Sequence, residues 1–136
     1  MTAALSACVA GPKPTQFENS RIYPMSIDDV WPSIIEFLAR YSMQIKTIEK
    51  DSGIIYAERT QAGEGFADCG TTILAVEVGR PATVNIFVRA NGAATEVTVN
   101  TVFTVARAFD GRVFSDACLS TGVLETAILD SIRSKS

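Results

Sequence analysis

The chain has 136 residues, of which 47% are hydrophobic and 20% are charged, and its formal net charge at pH 7 is −3. This composition is typical of one folded domain with a substantial core, and it excludes an intrinsically disordered chain. The acidic balance, with no basic run, argues against nucleic acid as a partner. The sequence contains no histidine, so it lacks the commonest general base and the commonest metal ligand of proteins.

A distinctive motif lies near the N-terminus, where Leu5-Ser6-Ala7-Cys8 has the form leucine, two small residues, cysteine. It resembles the lipobox of bacterial lipoproteins, whose signal peptide is cut before the cysteine that then carries the lipid. The resemblance implies that residues 1–8 are the remnant of a signal peptide and that Cys8 is lipidated. Residues 9–20 fit a flexible tether. No basic segment or long apolar run precedes Cys8, and an incidental cysteine is the alternative.

After the tether, the pattern predicts a short strand at residues 21–24 and a helix that Ser26 caps and that ends near Tyr41. Its buried stripe consists of Ile27, Val30, Trp31, Ile34, Leu38 and Tyr41. Residues 44–49 and 54–59 then form a hairpin around the turn at residues 50–53.

Further strands are predicted at residues 71–78, 83–89 and 95–108, and Asn91-Gly92 is a typical hairpin turn between the last two. Phe103 lies on the face that Val97, Val99 and Val105 share. Asp110-Gly111 turns the chain toward the last element.

That last element is predicted as a helix over residues 118–132. Its apolar stripe comprises Val123, Leu124, Ala127, Ile128, Ser131 and Ile132, and Glu125 lies off it. An amphipathic helix after a run of strands needs a sheet against which to bury its stripe. We therefore predict an α+β fold for a single domain at residues 21–136. In it, a curled antiparallel sheet packs on a long C-terminal helix, and one further helix follows the first strand.

The cysteines support an exported protein. If Cys8 carries a lipid, Cys69 and Cys118 remain as an even pair, and a disulfide between them would tie the sheet to the last helix. Two buried free thiols are the alternative. A metal site is not expected from two thiols without histidine, and no cofactor is expected.

The predicted order of elements is similar to the helix-grip arrangement of the START and birch-pollen-allergen superfamily. Ser26-Ile27-Asp28-Asp29-Val30-Trp31 resembles the S-x-x-x-V-W opening that is common there. Val30-Trp31, Met43-Gln44-Ile45 and Asp51-Ser52-Gly53-Ile54-Ile55 resemble the domains of BamC-type outer-membrane lipoproteins. Those proteins have a helix-grip fold, usually with two such domains, and belong to the machinery that inserts β-barrels. The resemblance implies anchoring to the outer membrane on its periplasmic side.

No residue pattern indicates catalysis. The adjacent carboxylates Asp28 and Asp29 fit the charge preference of a helix start, and Glu64 and Asp68 fit solvated loop charges. Ser120 and Thr121 have no recognisable base beside them and fit helix capping. Four apolar residues either line a pocket or belong to the core: Trp31, Phe103, Leu124 and Ile128.

Two functions follow as hypotheses. The first is a non-enzymatic, lipid-anchored periplasmic module that binds another envelope protein or complex; it would show an exposed apolar patch or an unpaired strand edge. The second is a START-like carrier that holds a small apolar ligand between sheet and C-terminal helix. The carrier would need a cavity of at least ~300 Å³.

Overall fold

The computed structural model describes residues 9–63 and 65–133, so Cys8 and Glu64 lie outside the described residues. The described chain is an α+β fold with an antiparallel sheet and two helices, one of them at the C-terminal end, as the sequence predicts. The elements in chain order are β1 (Val9–Ala10), β2 (Ser20–Tyr23), α1 (Ile27–Arg40), β3 (Gln44–Glu49), β4 (Ile54–Arg59), β5 (Ala67–Asp68), β6 (Thr71–Thr72), β7 (Val76–Gly79), β8 (Ala82–Asn91), β9 (Ala94–Phe109), β10 (Arg112–Ser120) and α2 (Val123–Ser131).

Strand β9 organises the sheet because its 16 residues are long enough to pair with four other strands. On one edge it pairs first with β8 and then, through residues 106–108, with β7. On the other edge it pairs with β2 through residues 95–98 and with β10 through residues 103–109. Beyond β8 the sheet continues through β4 to β3. Both helices lie against the half of the sheet around β8 and the start of β9, and the far end of β9 extends past them.

The core forms where alternating apolar residues of the sheet meet the apolar faces of the two helices. Period-two alternation places one set of side chains from each strand on a single face of the sheet, which the helices cover. The buried side chains of this layer include Val84, Ile86 and Val88 of β8, Val97, Val99, Phe103 and Val105 of β9, Val30, Ile34 and Leu38 of α1, and Leu124, Ile128 and Leu129 of α2.

The first helix confirms the prediction in its bounds and in most of its buried face, with two local differences. The hydroxyl of Ser26 donates to the Oδ2 atom of Asp29 at 3.2 Å and makes no capping bond to a backbone N–H. Tyr41, predicted to be buried, is 40% exposed and stacks on Phe37, which takes the buried position instead. The buried face of the helix therefore ends at Leu38 and does not extend to Tyr41, because the helix ends at Arg40.

The largest difference from the sequence prediction lies between residues 112 and 122. The sequence predicts that Cys118 opens the last helix, but Cys118 belongs to β10, and α2 covers only the nine residues Val123–Ser131. Asp110 and Gly111 have φ values of 51° and 74°, the left-handed conformation that a two-residue hairpin turn needs at both positions. The chain therefore reverses at residues 110–111 and pairs β10 with β9.

The predicted strand at residues 71–78 is also divided. Thr71 and Thr72 form β6, which pairs with β1, whereas Val76–Gly79 form β7, which pairs with β9. The segment between them connects two different sheets, so it cannot remain in one extended ladder. Hydropathy alone does not reveal such a change of partner, since both pieces are β-prone.

Tyr23 joins β2 to the end of the last helix. Its hydroxyl donates to the backbone oxygen of Leu129 at 2.6 Å, and its side chain is buried. Burial raises the pKa of Tyr23 from 10.0 to about 12, because the phenolate would lose its hydration there.

Tyr23→Phe is expected to change the pH dependence of stability in the alkaline range. Since the folded pKa is the higher one, the contribution of Tyr23 is fully present below pH 10 and is lost as the pH rises through about 12. The variant should therefore show a weaker fall in unfolding free energy over that window, and at neutral pH it should lose about 1 kcal/mol with the hydrogen bond. Urea titrations from pH 7 to 12 measure both effects.

Tyr41→Phe is the control for that series, because the Tyr41 side chain is 40% exposed. It should follow the wild-type pH profile. Equal alkaline slopes for Tyr23→Phe and the wild type would contradict the assignment of the pH dependence to Tyr23.

Candidate functional site

The four apolar residues that the sequence assigns to a pocket or to the core are all buried. Trp31 lies on α1, Phe103 on β9, and Leu124 and Ile128 on α2, and each contributes to the single core cluster. A cavity lined by Leu124 of α2, Met43 and Ala82 has a volume of only about 10 Å³. That is room for about one water molecule. These residues therefore belong to the packed core, and the cavity beside Leu124 is too small for an apolar ligand.

A wider depression of about 380 Å³ lies between the ends of the two helices. Its wall comprises Ser33, Glu36, Phe37, Arg40, Ser131 and Arg133. Arg40 and Glu36 pair across 2.6 Å on the exposed surface. The depression is open and mostly polar, unlike the enclosed apolar space that a carrier needs.

Cys69 and Cys118 form a disulfide with an S–S distance of 2.05 Å, which confirms the predicted pair. It joins the loop after β5 to β10, not to the last helix. Arg107 of β9 binds the same loop, since its Nη2 atom donates to the backbone oxygens of Cys69 and Gly70 at 2.7 and 3.3 Å. The covalent bond and the arginine together fix the loop against the sheet.

The start of α2 contains a buried carboxylate that the sequence analysis placed off the apolar stripe. Glu125 is 2% exposed, and its Oε2 atom accepts hydrogen bonds from the hydroxyls of Thr101 and Ser120 at 2.8 and 2.6 Å. The hydroxyl oxygen of Ser120 in turn accepts from the N–H of Gly122 at 3.0 Å. Glu125 thus orients the Ser120 hydroxyl that binds the N–H of Gly122 at the helix start. In a capping box the glutamate binds such an N–H directly.

The signal for this role is a glutamate at the third helical position, visible only once the helix is known to begin at Val123. Ser120 and Thr121 both act at the helix start, where their hydroxyl oxygens accept from the N–H groups of Gly122 and Val123 at 3.0 and 3.4 Å. The Thr121 hydroxyl also donates to the backbone oxygen of Gly65 at 2.6 Å. The hydroxyl groups that a nucleophilic mechanism would require are thereby engaged in structural hydrogen bonds.

The most unusual surface is formed by β7, residues 102–109 of β9, and β10, which we call the distal sheet. Directly paired residues of antiparallel strands share a face. The register pairs Val113 with Ala108, Ser115 with Ala106, and Val76 with Ala108. These residues and their neighbours on alternate positions form an outer face without a charged side chain: Val76, Val102, Thr104, Ala106, Ala108, Val113, Ser115, Ala117 and Leu119.

No described helix covers this outer face, and its large side chains are exposed: Val76 by 69%, Val113 by 65% and Val102 by 57%. Isolated exposed apolar residues are ordinary on protein surfaces. A contiguous uncharged face on a sheet is less common than single exposed apolar residues.

The opposite face of the distal sheet contains an open cleft of about 350 Å³. Its lining comprises Thr72, Leu74, Ala75, Arg107, Phe109, Phe114 and Asp116. Arg107 lies at the base, 3.6 Å from Asp116, and its charge is compensated there. The aromatic rings of Phe109 and Phe114 give the rim an apolar character.

The free edge of β10 adds a second feature. Its neighbour β5 pairs only with Leu119 and Ser120. Along residues 112–118, the described chain places no strand on that edge, so backbone donors and acceptors face outward. The opposite edge of the whole sheet is β3, which carries the exposed Lys46, a residue type that discourages edge pairing. The β10 edge has Arg112 and Asp116 but no lysine.

Within residues 9–63 and 65–133, no group of three or more cysteine or acidic side chains is arranged to bind a metal ion. None of the described helices has the length and apolar character required to cross a membrane. Comparison of the chain with models of known protein families and with curated protein sequences finds no match.

Proposed function

We propose that this protein is a non-enzymatic, lipid-anchored module on the periplasmic side of the bacterial outer membrane, and that it binds another envelope protein through the distal sheet. The observation that carries the proposal is the combination of an uncharged, exposed outer face with an unpaired edge on the same strand, β10. A partner strand can add to such an edge through backbone hydrogen bonds, while the face beside it supplies apolar contact area.

The proposed location depends on the motif at Cys8 and is supported by the disulfide. A Cys69–Cys118 bond suits an oxidising compartment such as the periplasm. The packed interior supports a binding module over a carrier, because Trp31, Phe103 and Leu124 are buried in the core and the cavity beside Leu124 measures only about 10 Å³. The engagement of Ser120 and Thr121 at the helix start supports the non-enzymatic part of the proposal.

The anchor is tested by the intact mass of protein that is expressed with its full upstream sequence and extracted from membranes. The expected mass contains a diacyl or triacyl group on Cys8 and lacks two hydrogens at the disulfide. An unmodified Cys8 in protein recovered from the cytosol would overturn the proposed location.

The binding surface is tested by site-specific photo-crosslinking in the native envelope. A photoreactive residue at Val113 or Ala117 should give one discrete cross-linked product, because both positions lie on the outer face beside the free edge. Adding Phe114→Lys should reduce the cross-linked product at Val113 about tenfold. A partner strand that pairs with the β10 edge would have to pass over the new lysine, whose ammonium group would lose hydration.

Ile48 is the matched control position, since it is 48% exposed on β3 at the other edge of the sheet. A photoreactive residue there should give no such product. Equal products from positions 48 and 113, or none from positions 113 and 117, would contradict the assignment of the binding surface to the distal sheet.

A further inference from the structure

The first described residue of the chain lies beside an exposed apolar segment. Val9 pairs with Thr72 in the small sheet formed by β1 and β6. Residues 73–75, which we call the apolar segment, follow directly: Ile73, Leu74 and Ala75. Ile73 is 77% exposed and Leu74 is 60% exposed, so this connection presents two large aliphatic side chains to the surroundings.

The position of Val9 is fixed relative to the distal sheet by several contacts. The N–H of Lys13 donates to the Oδ2 atom of Asp68 at 3.1 Å, and the N–H of Gly70 donates to the Oδ1 atom of the same carboxylate at 2.8 Å. These two bonds, with that from Gly70 the larger cause, hold the pKa of Asp68 below its usual value. Gly70 has φ +71°, and any side chain there would collide with the carbonyl oxygen of Ala10. The chain therefore enters the fold at one defined place.

Residues 69–76 contain no charged side chain. Next to them, Leu74 shares the cleft of the distal sheet with Phe109 and Phe114, which are about half exposed. The arginine in that cleft is compensated by Asp116 and by backbone oxygens. The cleft beside the apolar segment thus has an apolar rim, and the two charged side chains in it are paired with each other.

From this juxtaposition we infer that the apolar segment inserts into the lipid interface of the membrane to which Cys8 attaches the chain. The inference rests on the proposed lipid anchor. The Cα atoms of Cys8 and Val9 are about 3.8 Å apart by covalent geometry. Since the backbone of Val9 pairs with Thr72, acyl chains on Cys8 would be tethered one residue away from a strand that leads directly into the apolar segment. The anchored domain then stands with the apolar segment toward the membrane, and the helix-covered half of the sheet faces away from it.

The test attaches the full chain to phosphatidylcholine vesicles by coupling Cys8 to a maleimide lipid, since Cys8 is the one cysteine outside the disulfide. Leu74→Trp places a fluorophore on the apolar segment, and Ile48→Trp is the control at the far edge of the sheet. Vesicles with bromine atoms on the acyl chains quench a tryptophan that reaches the acyl boundary. The native Trp31 is buried in the core and is common to both variants.

We expect brominated vesicles to quench Leu74→Trp roughly twofold relative to unbrominated ones, because interfacial apolar residues sit about 5–10 Å into the headgroup–acyl boundary. Ile48→Trp and the wild type should change little. High salt should leave the quenching unchanged, since the segment is uncharged. Adding Ile73→Asp to Leu74→Trp should abolish most of the quenching.

Equal quenching of the two introduced tryptophans, or none, would overturn the inference. So would an emission of the Leu74→Trp variant that is already shifted to the blue without vesicles, because the segment would then be covered by protein before it meets the membrane. Absence of quenching together with loss of the Val113 cross-link in Leu74→Asp would assign the segment to the protein partner instead. Coupling through the maleimide lipid does not depend on natural lipidation, so a failed anchor and a failed insertion give different results.

Discussion

Replacing Cys69 and Cys118 together by alanine is expected to lower the free energy of unfolding by about 4 kcal/mol. The disulfide joins cysteines that are 49 residues apart, and in the chain-entropy model a loop of that length contributes roughly this amount by restricting the unfolded chain. Both cysteines are nearly fully buried, and alanine keeps the sites apolar. Urea denaturation of the double variant and the wild type at equal pH measures the difference.

A reductant provides the control for this variant. It should lower the free energy of unfolding of the wild type by a similar amount and leave that of the double variant unchanged. The loss should also appear locally, as faster hydrogen exchange at residues 67–70, which the disulfide joins to β10. A double variant within about 1 kcal/mol of the oxidised wild type would show that Arg107 and the hydrogen bonds of the loop suffice to hold it.

Phe103→Ala is expected to cost about 3–5 kcal/mol, because it removes a large side chain from the middle of the packed layer and leaves a cavity. Phe103 is 1% exposed and lies between two pairing strands, opposite Ala82 on β8 and Cys118 on β10. Its neighbours belong to strands that are themselves paired, so they cannot collapse fully into the vacated space. Thermal and urea unfolding of the variant measure the cost.

Val102→Ala is the matched control, since Val102 is adjacent in sequence but points to the outer face and is 57% exposed. That variant should remain within about 0.5 kcal/mol of the wild type. If Phe103→Ala cost less than about 1 kcal/mol, Phe103 would line a space instead of filling it, and the carrier hypothesis would regain support.

The sequence by itself determined those elements whose pattern is local. Helix α1 and the β3–β4 hairpin are predicted within a residue or two, because their apolar spacing is regular and their ends carry turn residues. The β8–β9 hairpin is predictable for the same reason, although its two loop residues are Gly92 and Ala93, one position after the predicted Asn91-Gly92, and Asn91 pairs with Ala94. The disulfide partners follow from the number of cysteines once Cys8 is set apart.

Strand β10 shows where local patterns fail. Its residues alternate between a face with Arg112, Phe114 and Asp116 and a face with Val113, Ser115 and Ala117, so neither face is consistently apolar. When both faces of a strand are exposed, burial does not require apolar and polar residues to alternate. The extended form of β10 depends instead on its pairing with β9. Because the pattern does not reveal β10, the predicted last helix begins at Cys118 instead of Val123.

The same displacement hides Glu125. A glutamate off the apolar stripe suggests a solvated residue, but in the fold the hydroxyls of Thr101 and Ser120 bind its Oε2 atom in the interior, while its Oε1 atom is buried without a hydrogen-bond partner among the described residues. Such compensation depends on how the helix start meets β9, and no periodicity can indicate it.

Only the tertiary structure decided where the exposed surfaces lie. The length of β9 can be inferred from its alternation, but not that its far end extends beyond the helices and carries β7 and β10 with it. The apolar residues of these strands resemble core residues in the sequence, and they are exposed because no described helix reaches them. Hydrophobicity is a property of the residue, whereas exposure depends on which elements pack together. The sequence could therefore predict an apolar patch as the hallmark of the hypothesised binding module, but not the position of that patch.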